Sequence, residues 1–112
     1  MVEGPRPRRG EVWWAAADKR RPVVVVQADF LNRSAMAWIL VVPLTSRLQH
    51  EAFPGNVRLA RRDTGLPRAC VANVSMVAPL HRAALIERVT RLSPTQLARV
   101  AGGLALVLGL DR

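Results

Sequence analysis

Short apolar segments separated by polar turns make up most of this chain, and they predict a mainly β fold. The first strand is predicted from Glu11 to Ala16. Residues 22–27 include four consecutive valines, which is typical of a strand buried on both faces, and the apolar run at 36–44 predicts a central strand. Three further strands are predicted at 56–60, 69–77 and 85–92, with polar connections at 29–35, 47–55 and 61–67.

The last segment changes its apolar spacing to three and four residues, which predicts an amphipathic helix. Ser93 is a suitable N-cap, Pro94 suits the first helical position, and Gly109 is suited to end the helix. Gly102 and Gly103 weaken this helix but permit close packing. The apolar stripe consists of Leu97, Val100, Ala101, Leu104, Val107 and Leu108. Short strands followed by one helix predict a mainly β (α+β) fold with a bent sheet or partly open barrel.

Size and charge narrow the choice of partners. The 112 residues suffice for one compact domain, which we place at 9–112 behind a flexible basic arm at 1–8. The formal charge is +9, and Lys19 is the only lysine among the 17 basic residues. Because arginine grips phosphate oxygens in pairs, this excess favours a nucleic acid or an acidic protein as partner, with general solubility and genome composition as the alternative explanation. Cys70 is the only cysteine, which suits the reducing cytoplasm, and we expect no membrane-spanning segment.

Several kinds of catalytic site are disfavoured by the residues present. His50 and His81 are the only histidines, and no spacing of histidine, cysteine and carboxylate suits zinc. The chain has neither a glycine-rich phosphate loop nor a Gly-x-Ser-x-Gly elbow. The eight acidic residues are scattered, whereas a two-metal nuclease needs several together. If the protein is an enzyme, we therefore expect it to work without a metal or another cofactor.

A set of segments in the right order resembles the MazF/PemK (Kid-like) toxin endoribonucleases of type II toxin–antitoxin systems. The segments are RGEVW at 9–13, RRPVVVVQAD at 20–29 followed by NR at 32–33, VVPLTS at 41–46, GLPR at 65–68, VANVS at 71–75 and ERVTRLS at 87–93. Each segment alone is a weak signal. Together they occur in the same order as in the family, and the resemblance covers residues 9–110.

The resemblance implies an SH3-like, CcdB-like β-barrel with a C-terminal helix, working as a homodimer that cuts single-stranded RNA. It also implies inhibition by an acidic antitoxin of the MazE kind. In the family, the arginine before the proline of the second strand and the threonine that ends the third strand are catalytic. These positions correspond to Arg21 and Thr45 in this sequence.

The chemistry of RNA cleavage agrees with that assignment. The substrate's 2′-hydroxyl is the nucleophile, so the protein has to stabilise charge on the phosphorus and assist proton transfer. Arg21 supplies a fixed charge and Thr45 a hydrogen-bond donor, although each residue taken alone could simply mark the end of a strand. Residues predicted to contact RNA are Arg20, Ser46, Gln27, Asn32 and Arg33. Turn or surface roles remain open for Arg20, Ser46, Asn32 and Arg33, as does proton transfer for His50 and RNA backbone contact for Arg61 and Arg62.

One segment departs from the family pattern. Members commonly carry a longer, glycine-rich loop with an acidic residue between the first two strands, whereas only residues 15–19 separate the first strand from Arg20 here. Asp18 lies too close to the strand to be equated with that acidic residue. A short loop predicts a more open groove that admits folded RNA such as tRNA. Two alternative functions stay open: a non-enzymatic CcdB-like toxin that binds DNA gyrase, and an RNA-binding module without catalysis.

Overall fold

The computed structural model describes residues 4–111 and contains seven strands and three α-helical segments. The strands are β1 (Glu11–Ala16), β2 (Arg20–Val25), β3 (Trp38–Thr45), β4 (Val57–Leu59), β5 (Cys70–Ala72), β6 (Ala78–His81) and β7 (Leu85–Arg91). Single helical turns form α1 (Asp29–Asn32) and α2 (Arg61–Thr64), while α3 (Pro94–Val107) has 14 residues. Short 3₁₀ segments occupy Leu48–Ala52, Val74–Met76 and Arg82–Ala84.

All strand pairings are antiparallel, and the neighbours follow the order β4-β5-β3-β2-β1-β7. β3 is the central strand, as the apolar run predicted. Its first half pairs with β6 and its last two residues pair with β5, so β3 connects the two parts of a curled sheet. The predicted fold class, a small SH3-like, CcdB-like β-barrel with a C-terminal helix, is confirmed.

The valine run of β2 is buried on both faces of the sheet. Val24 packs in the main core with residues of β1, β3 and α3, whereas Val23 and Val25 pack in a second apolar cluster on the opposite face. Alternation of side chains along a strand puts neighbouring valines on opposite faces. This two-sided burial is the physical reason why the sequence shows no polar residue in the run.

Helix α3 begins as its sequence predicts, and most of its predicted apolar stripe packs against the core, whereas Leu108 follows the last helical residue and is 56% exposed. The Ser93 hydroxyl accepts a hydrogen bond from the Gln96 backbone N–H at 3.2 Å, and Pro94 occupies the first turn. Val100 is fully buried in the main core. Gly103 lies against Gly55, in the loop that follows β3, so closely that no side chain fits between the two backbones.

The strand predicted at 69–77 is wrong in its second half. β5 ends at Ala72, after which Asn73 leaves the sheet and a 3₁₀ turn leads into β6, which the apolar pattern did not reveal. The physical reason is a side-chain contact from a distant part of the chain. Asn56 donates to the Asn73 side chain at 3.2 Å and accepts from the Val74 backbone N–H at 3.0 Å.

Residues 1–3 of the predicted arm lie outside the described residues. Pro7 is buried, and Arg6 donates to the backbone carbonyls of Arg33 and Ser34. The buried Arg82 also donates to the Pro5 carbonyl at 3.1 Å. Residues 5–7 therefore contact the barrel, and the flexibility of the arm as a whole stays a prediction. None of the described helices is long and apolar enough to cross a membrane.

Candidate active site

Arg21 and Thr45 stand at the adjacent ends of β2 and β3. The antiparallel ladder between these strands ends at the pair Val23 and Pro43, two residues away from Arg21 on one strand and from Thr45 on the other. Because side chains two residues apart along a strand project on the same face, Arg21 and Thr45 project on the face of Val23 and Pro43. The two predicted catalytic residues therefore stand at the same end of the barrel and on the same face of the sheet.

The Arg21 guanidinium is exposed and held by a carboxylate from the turn between β1 and β2. Its Nε donates to Asp18 Oδ1 at 3.1 Å and its Nη2 to Asp18 Oδ2 at 3.3 Å. The hydrogen bond and the charge of Asp18 raise the pKa of Arg21, and those of Arg21 lower the pKa of Asp18. Arg21 therefore remains a cation at neutral pH, which suits stabilisation of charge and disfavours service as a base.

Thr45 has its hydroxyl proton available. The Thr45 Oγ1 accepts a hydrogen bond from the Arg47 backbone N–H at 3.2 Å. A hydroxyl has one proton to donate besides its acceptor lone pairs, so this contact orients Thr45 without using its proton. The side chain is partly exposed, and it can donate to a ligand oxygen bound beside Arg21.

Arg20 projects to the other face of β2 and lies over Trp14. The Arg20 guanidinium carbon is 4.9 Å from the centroid of the Trp14 ring, and Nη2 lies 2.7 Å from Glu87 Oε1. A pocket of about 260 Å³ opens beside this ring, and we call it the Trp14 pocket. Its lining includes Trp14, Pro22, Ser46, Leu66, Pro67 and Cys70.

The two tryptophans of β1 have different surroundings. Trp13 donates its Nε1–H to Glu11 Oε1 at 3.1 Å and packs against the second apolar cluster, whereas Trp14 borders the open pocket. Trp14 is thus the aromatic residue that could stack on a ligand ring. Adjacent residues of a strand face opposite sides, but no local sequence pattern indicates which of the two tryptophans faces a groove.

Gln27 and Asn32 do not lie at the strand ends that carry Arg21 and Thr45. Gln27 is 4% exposed and Asn32 is 0% exposed. The Gln27 amide nitrogen donates to Asn32 Oδ1 at 3.1 Å and to the Trp38 carbonyl, and its oxygen accepts from the Leu40 backbone N–H. These amides join the end of β2 to the start of β3, and their burial argues against the predicted RNA contacts.

Arg33 is exposed but lies in a different cluster. It lines a pocket of about 410 Å³ together with Arg6, Arg8, Asp29 and Arg91. Arg91 pairs with Glu11 at the start of β1, whereas Arg21 pairs with Ala15 near its end. Four residues of β1, about 13 Å, separate these two positions, so Arg33 lies near the opposite end of β1 from Arg21.

His50 offers no clear support for a role in proton transfer. Its ring packs against Phe53 with centroids 5.1 Å apart, and its Nδ1 is buried without a hydrogen-bond partner among the described residues. Within residues 4–111, no group of three or more histidine, cysteine or acidic residues is arranged to hold a metal ion. Asp18 is the site neighbour that the sequence did not assign, and its signal was its position three residues before Arg21.

The fold and these strand ends define a small basic β-barrel with one C-terminal helix, and an arginine and a threonine stand at its rim. A family model described as PemK-like, MazF-like toxin of type II toxin–antitoxin system matches residues 8–108. The chain belongs to this family of toxins. Membership agrees with the resemblance recognised in the sequence and does not favour the CcdB-like alternative.

Relatives of this chain come from several bacteria. It is 36% identical over 110 residues to endoribonuclease MazF6 of Mycobacterium tuberculosis, an alignment that covers 91% of this chain and 96% of the relative. It is 31% identical to the probable endoribonuclease MazF of Mycolicibacterium smegmatis, with 92% and 97% covered.

Solved structures show the same fold. An endoribonuclease from a mycobacterial species superposes with a TM-score of 0.80 at 22% identity over 96% of each chain. A MazE–MazF crystal structure from Deinococcus radiodurans gives 0.76 at 25% identity, covering 92% of this chain and 95% of that one.

Proposed function

We propose that this MazF-family protein is a toxin endoribonuclease that cleaves single-stranded RNA without a metal ion. The 2′-hydroxyl of the substrate loses its proton to solvent and its oxygen attacks the adjacent phosphorus. The bond from phosphorus to the 5′-oxygen breaks, and the leaving 5′-oxygen takes up a proton from solvent. The products are a 2′,3′-cyclic phosphate and a 5′-hydroxyl. The observation that supports this proposal is the position of Arg21 and Thr45 on one face of the sheet at the neighbouring ends of β2 and β3.

Arg21 stabilises the negative charge that builds on the phosphate oxygens during attack. Because its pKa is raised by Asp18, it stays protonated and we assign it to charge stabilisation, with no role as the base that removes the 2′-proton. Asp18 is a positioning residue, since its two carboxylate oxygens hold the guanidinium from one side. The remaining guanidinium N–H groups are free to point toward a phosphate.

Thr45 donates its hydroxyl proton to a non-bridging phosphate oxygen. The Arg47 backbone N–H already occupies one lone pair of Thr45 Oγ1 and orients the hydroxyl before substrate arrives. Losing one such oriented donor costs about 2.7–4 kcal/mol in the barrier, which is about a 100- to 1,000-fold loss of rate.

Contacts to neighbouring nucleotides come from the other face of the same strand ends. Arg20 contacts phosphate, Trp14 stacks on a base, and Ser46 donates to or accepts from that base at the mouth of the Trp14 pocket. Gln27 and Asn32 make no RNA contact in this proposal because they are buried, and Arg33 makes none because it lies in a different cluster of side chains.

The short turn between β1 and β2 bears on the choice of substrate. Only residues 17–19 connect the two strands, so little of the chain covers Arg21 and Thr45. We propose that this opening admits folded RNA such as tRNA as well as unstructured mRNA. Cleavage confined to unstructured RNA, with folded tRNA intact, would contradict this part of the proposal.

The proposed partners are a second copy of this chain and an acidic antitoxin, and the proposed location is the cytoplasm. β3 exposes 52% of Trp38 and 42% of Leu40, an apolar surface suited to a second copy. The formal charge of +9 suits an acidic antitoxin. The Deinococcus relative is described in a complex of MazE with MazF, which supports an antitoxin of that kind here.

The test is incubation of purified protein with total RNA in EDTA, followed by mapping of cut sites and analysis of end groups. We expect cleavage in EDTA, and we expect Arg21→Ala and Thr45→Ala to lose it. Arg8→Ala and Thr95→Ala are matched controls, because both side chains are exposed and lie outside the site. A requirement for magnesium, or full activity in both site variants, would refute the mechanism.

A further inference from the structure

A second basic surface begins where the Trp14 pocket ends. Arg58, Arg61, Arg62 and Arg99 line an open depression of about 970 Å³, which we call the arginine trough. The arginines come from β4, α2 and α3, which are separate elements of the chain. Leu66 and Ala69 line both the trough and the Trp14 pocket, so the two depressions adjoin.

Little negative charge compensates these arginines. Asp63 is the acidic residue in the trough lining, and its Oδ2 accepts a hydrogen bond from the Ala60 backbone N–H at 2.8 Å. Arg58 Nη1 lies 3.7 Å from Glu51 Oε1, a loose and exposed ion pair. In the described part of the chain, Arg61, Arg62 and Arg99 have no carboxylate within 4.0 Å. Arginine side chains without a nearby carboxylate carry an uncompensated positive charge, and this charge attracts an anionic ligand.

Arg99 is oriented within the trough by neutral partners. Its Nη1 donates to Gln96 Oε1 at 2.6 Å and lies 3.4 Å from the Arg58 carbonyl. These contacts use one end of the guanidinium and leave its charge uncompensated. A guanidinium held in this way can offer its remaining N–H groups to a phosphate in a paired geometry.

We propose that the arginine trough binds the sugar–phosphate backbone of the RNA on one side of the cut site. This inference rests on the proposed function, because it continues the path of an RNA whose base stacks on Trp14. The adjoining position of the Trp14 pocket favours RNA over an acidic peptide, since a strand that leaves the pocket across Leu66 and Ala69 enters the trough. Affinity should therefore depend on nucleotides beyond the cut site on that side.

The salt dependence of RNA binding tests the proposal. The probe is a single-stranded RNA with a mapped cut sequence and a 2′-deoxy sugar at the cut position, which prevents cleavage. Each phosphate contact to a single strand contributes about 0.7 to the slope of log affinity against log salt concentration. We expect the Arg61→Gln/Arg62→Gln variant to lose about 1.4 from that slope. Its affinity deficit should then be about 7-fold larger at about 50 mM salt than at about 200 mM.

The matched control removes the same charge at the far end of the barrel. Arg8→Gln/Arg33→Gln changes two exposed arginines outside the trough, and it should leave the slope near that of the unchanged protein. Arg99→Gln repeats the test from a different element, with an expected loss of about 0.7. Equal thermal unfolding of all variants would show that the substitutions leave the fold intact.

RNA length gives a second readout. Removing nucleotides from the side that reaches the trough should abolish the difference between the unchanged protein and the Arg61→Gln/Arg62→Gln variant, whereas trimming the other side should not. An unchanged slope, or an equal loss in the control, overturns the proposal. Weakened binding of a glutamate-rich peptide with unchanged RNA binding would overturn it in favour of an acidic protein ligand. Failure of the proposed cleavage mechanism is seen separately, as full activity in Arg21→Ala and Thr45→Ala.

Discussion

Two adjacent glycines in α3 should respond to alanine in opposite directions. A Cβ added to Gly103 would lie 2.0 Å from the carbonyl oxygen of Gly55, so the two backbones must separate by about 1 Å to reach even 3.0 Å. A Cβ added to Gly102 meets no atom within 4 Å. Gly103→Ala therefore overpacks the contact between α3 and the loop after β3. Gly102→Ala only raises the helix propensity of α3.

The magnitudes follow from these two situations. Alanine in place of glycine favours a helix by about 1 kcal/mol, so Gly102→Ala should stabilise by that amount. Overpacking against a backbone costs up to about 3 kcal/mol, so Gly103→Ala should destabilise by about 2 kcal/mol net. With an unfolding entropy of about 2.1 cal/mol/K per residue, 1 kcal/mol shifts the Tm of a chain this size by about 4 °C. We expect Gly102→Ala to raise Tm by about 4 °C and Gly103→Ala to lower it by about 8 °C.

The assay is thermal unfolding followed by circular dichroism at one protein concentration, since self-association would shift Tm. Urea unfolding of both variants should give the same order of stability with an unchanged m-value. If Gly103→Ala proves as stable as Gly102→Ala, the close approach of Gly103 to Gly55 does not hold α3 against the loop, and the reasoning is refuted.

Three further predictions concern the site and its support. Trp14→Leu should weaken binding of uncleavable RNA by about 1–3 kcal/mol, and unchanged affinity would remove Trp14 as a stacking residue. Asp18→Asn should lower the cleavage rate less than Arg21→Ala does, with the exposed Asp111→Asn as control, and an equal loss would contradict a positioning role. Burial raises the pKa of Glu11, but hydrogen bonds from Arg8, Arg88 and Trp13 and the Arg88 charge outweigh it and lower the pKa. The ionised Glu11 carboxylate therefore stabilises the fold at pH values above 4.5, its ordinary pKa, and this stabilisation is lost as the pH falls through the lowered pKa. In the Glu11→Gln variant, the free energy of unfolding should consequently fall less steeply as the pH is lowered through this range.

Local sequence patterns predicted most of the helices and strands whose bounds depend on residues close by in the sequence. β1 has the predicted bounds because its apolar residues and flanking turns are sufficient, and α3 begins after the Ser93–Pro94 signal. β6 was not predicted, because the chain leaves the sheet at Asn73 through a contact with Asn56 that no local pattern encodes. Long-range hydrogen bonds of this kind decide where a continuous apolar run is divided.

The difference between local patterns and long-range contacts also explains which site residues the sequence predicted correctly. Arg21 and Thr45 stand at strand ends that the apolar runs define, so their position at the same end of the barrel follows from the antiparallel pairing of β2 and β3. Gln27 and Asn32 also stand at the edges of an apolar run, but they are buried and bonded to each other. Polarity at a strand end thus does not distinguish an exposed ligand contact from an internal amide network, because burial depends on the elements that cover it.

The short turn between β1 and β2 keeps a charge partner for Arg21 while it leaves the strand ends open. A turn of residues 17–19 cannot reach across the barrel rim, yet it places the Asp18 carboxylate within hydrogen-bonding distance of the guanidinium. Strand alternation then directs Arg21 to the face of Thr45 and Arg20 to the face of Trp14. In the proposed function, charge stabilisation and base stacking thereby fall on opposite faces of β2, and we expect an RNA that crosses the open rim to engage both.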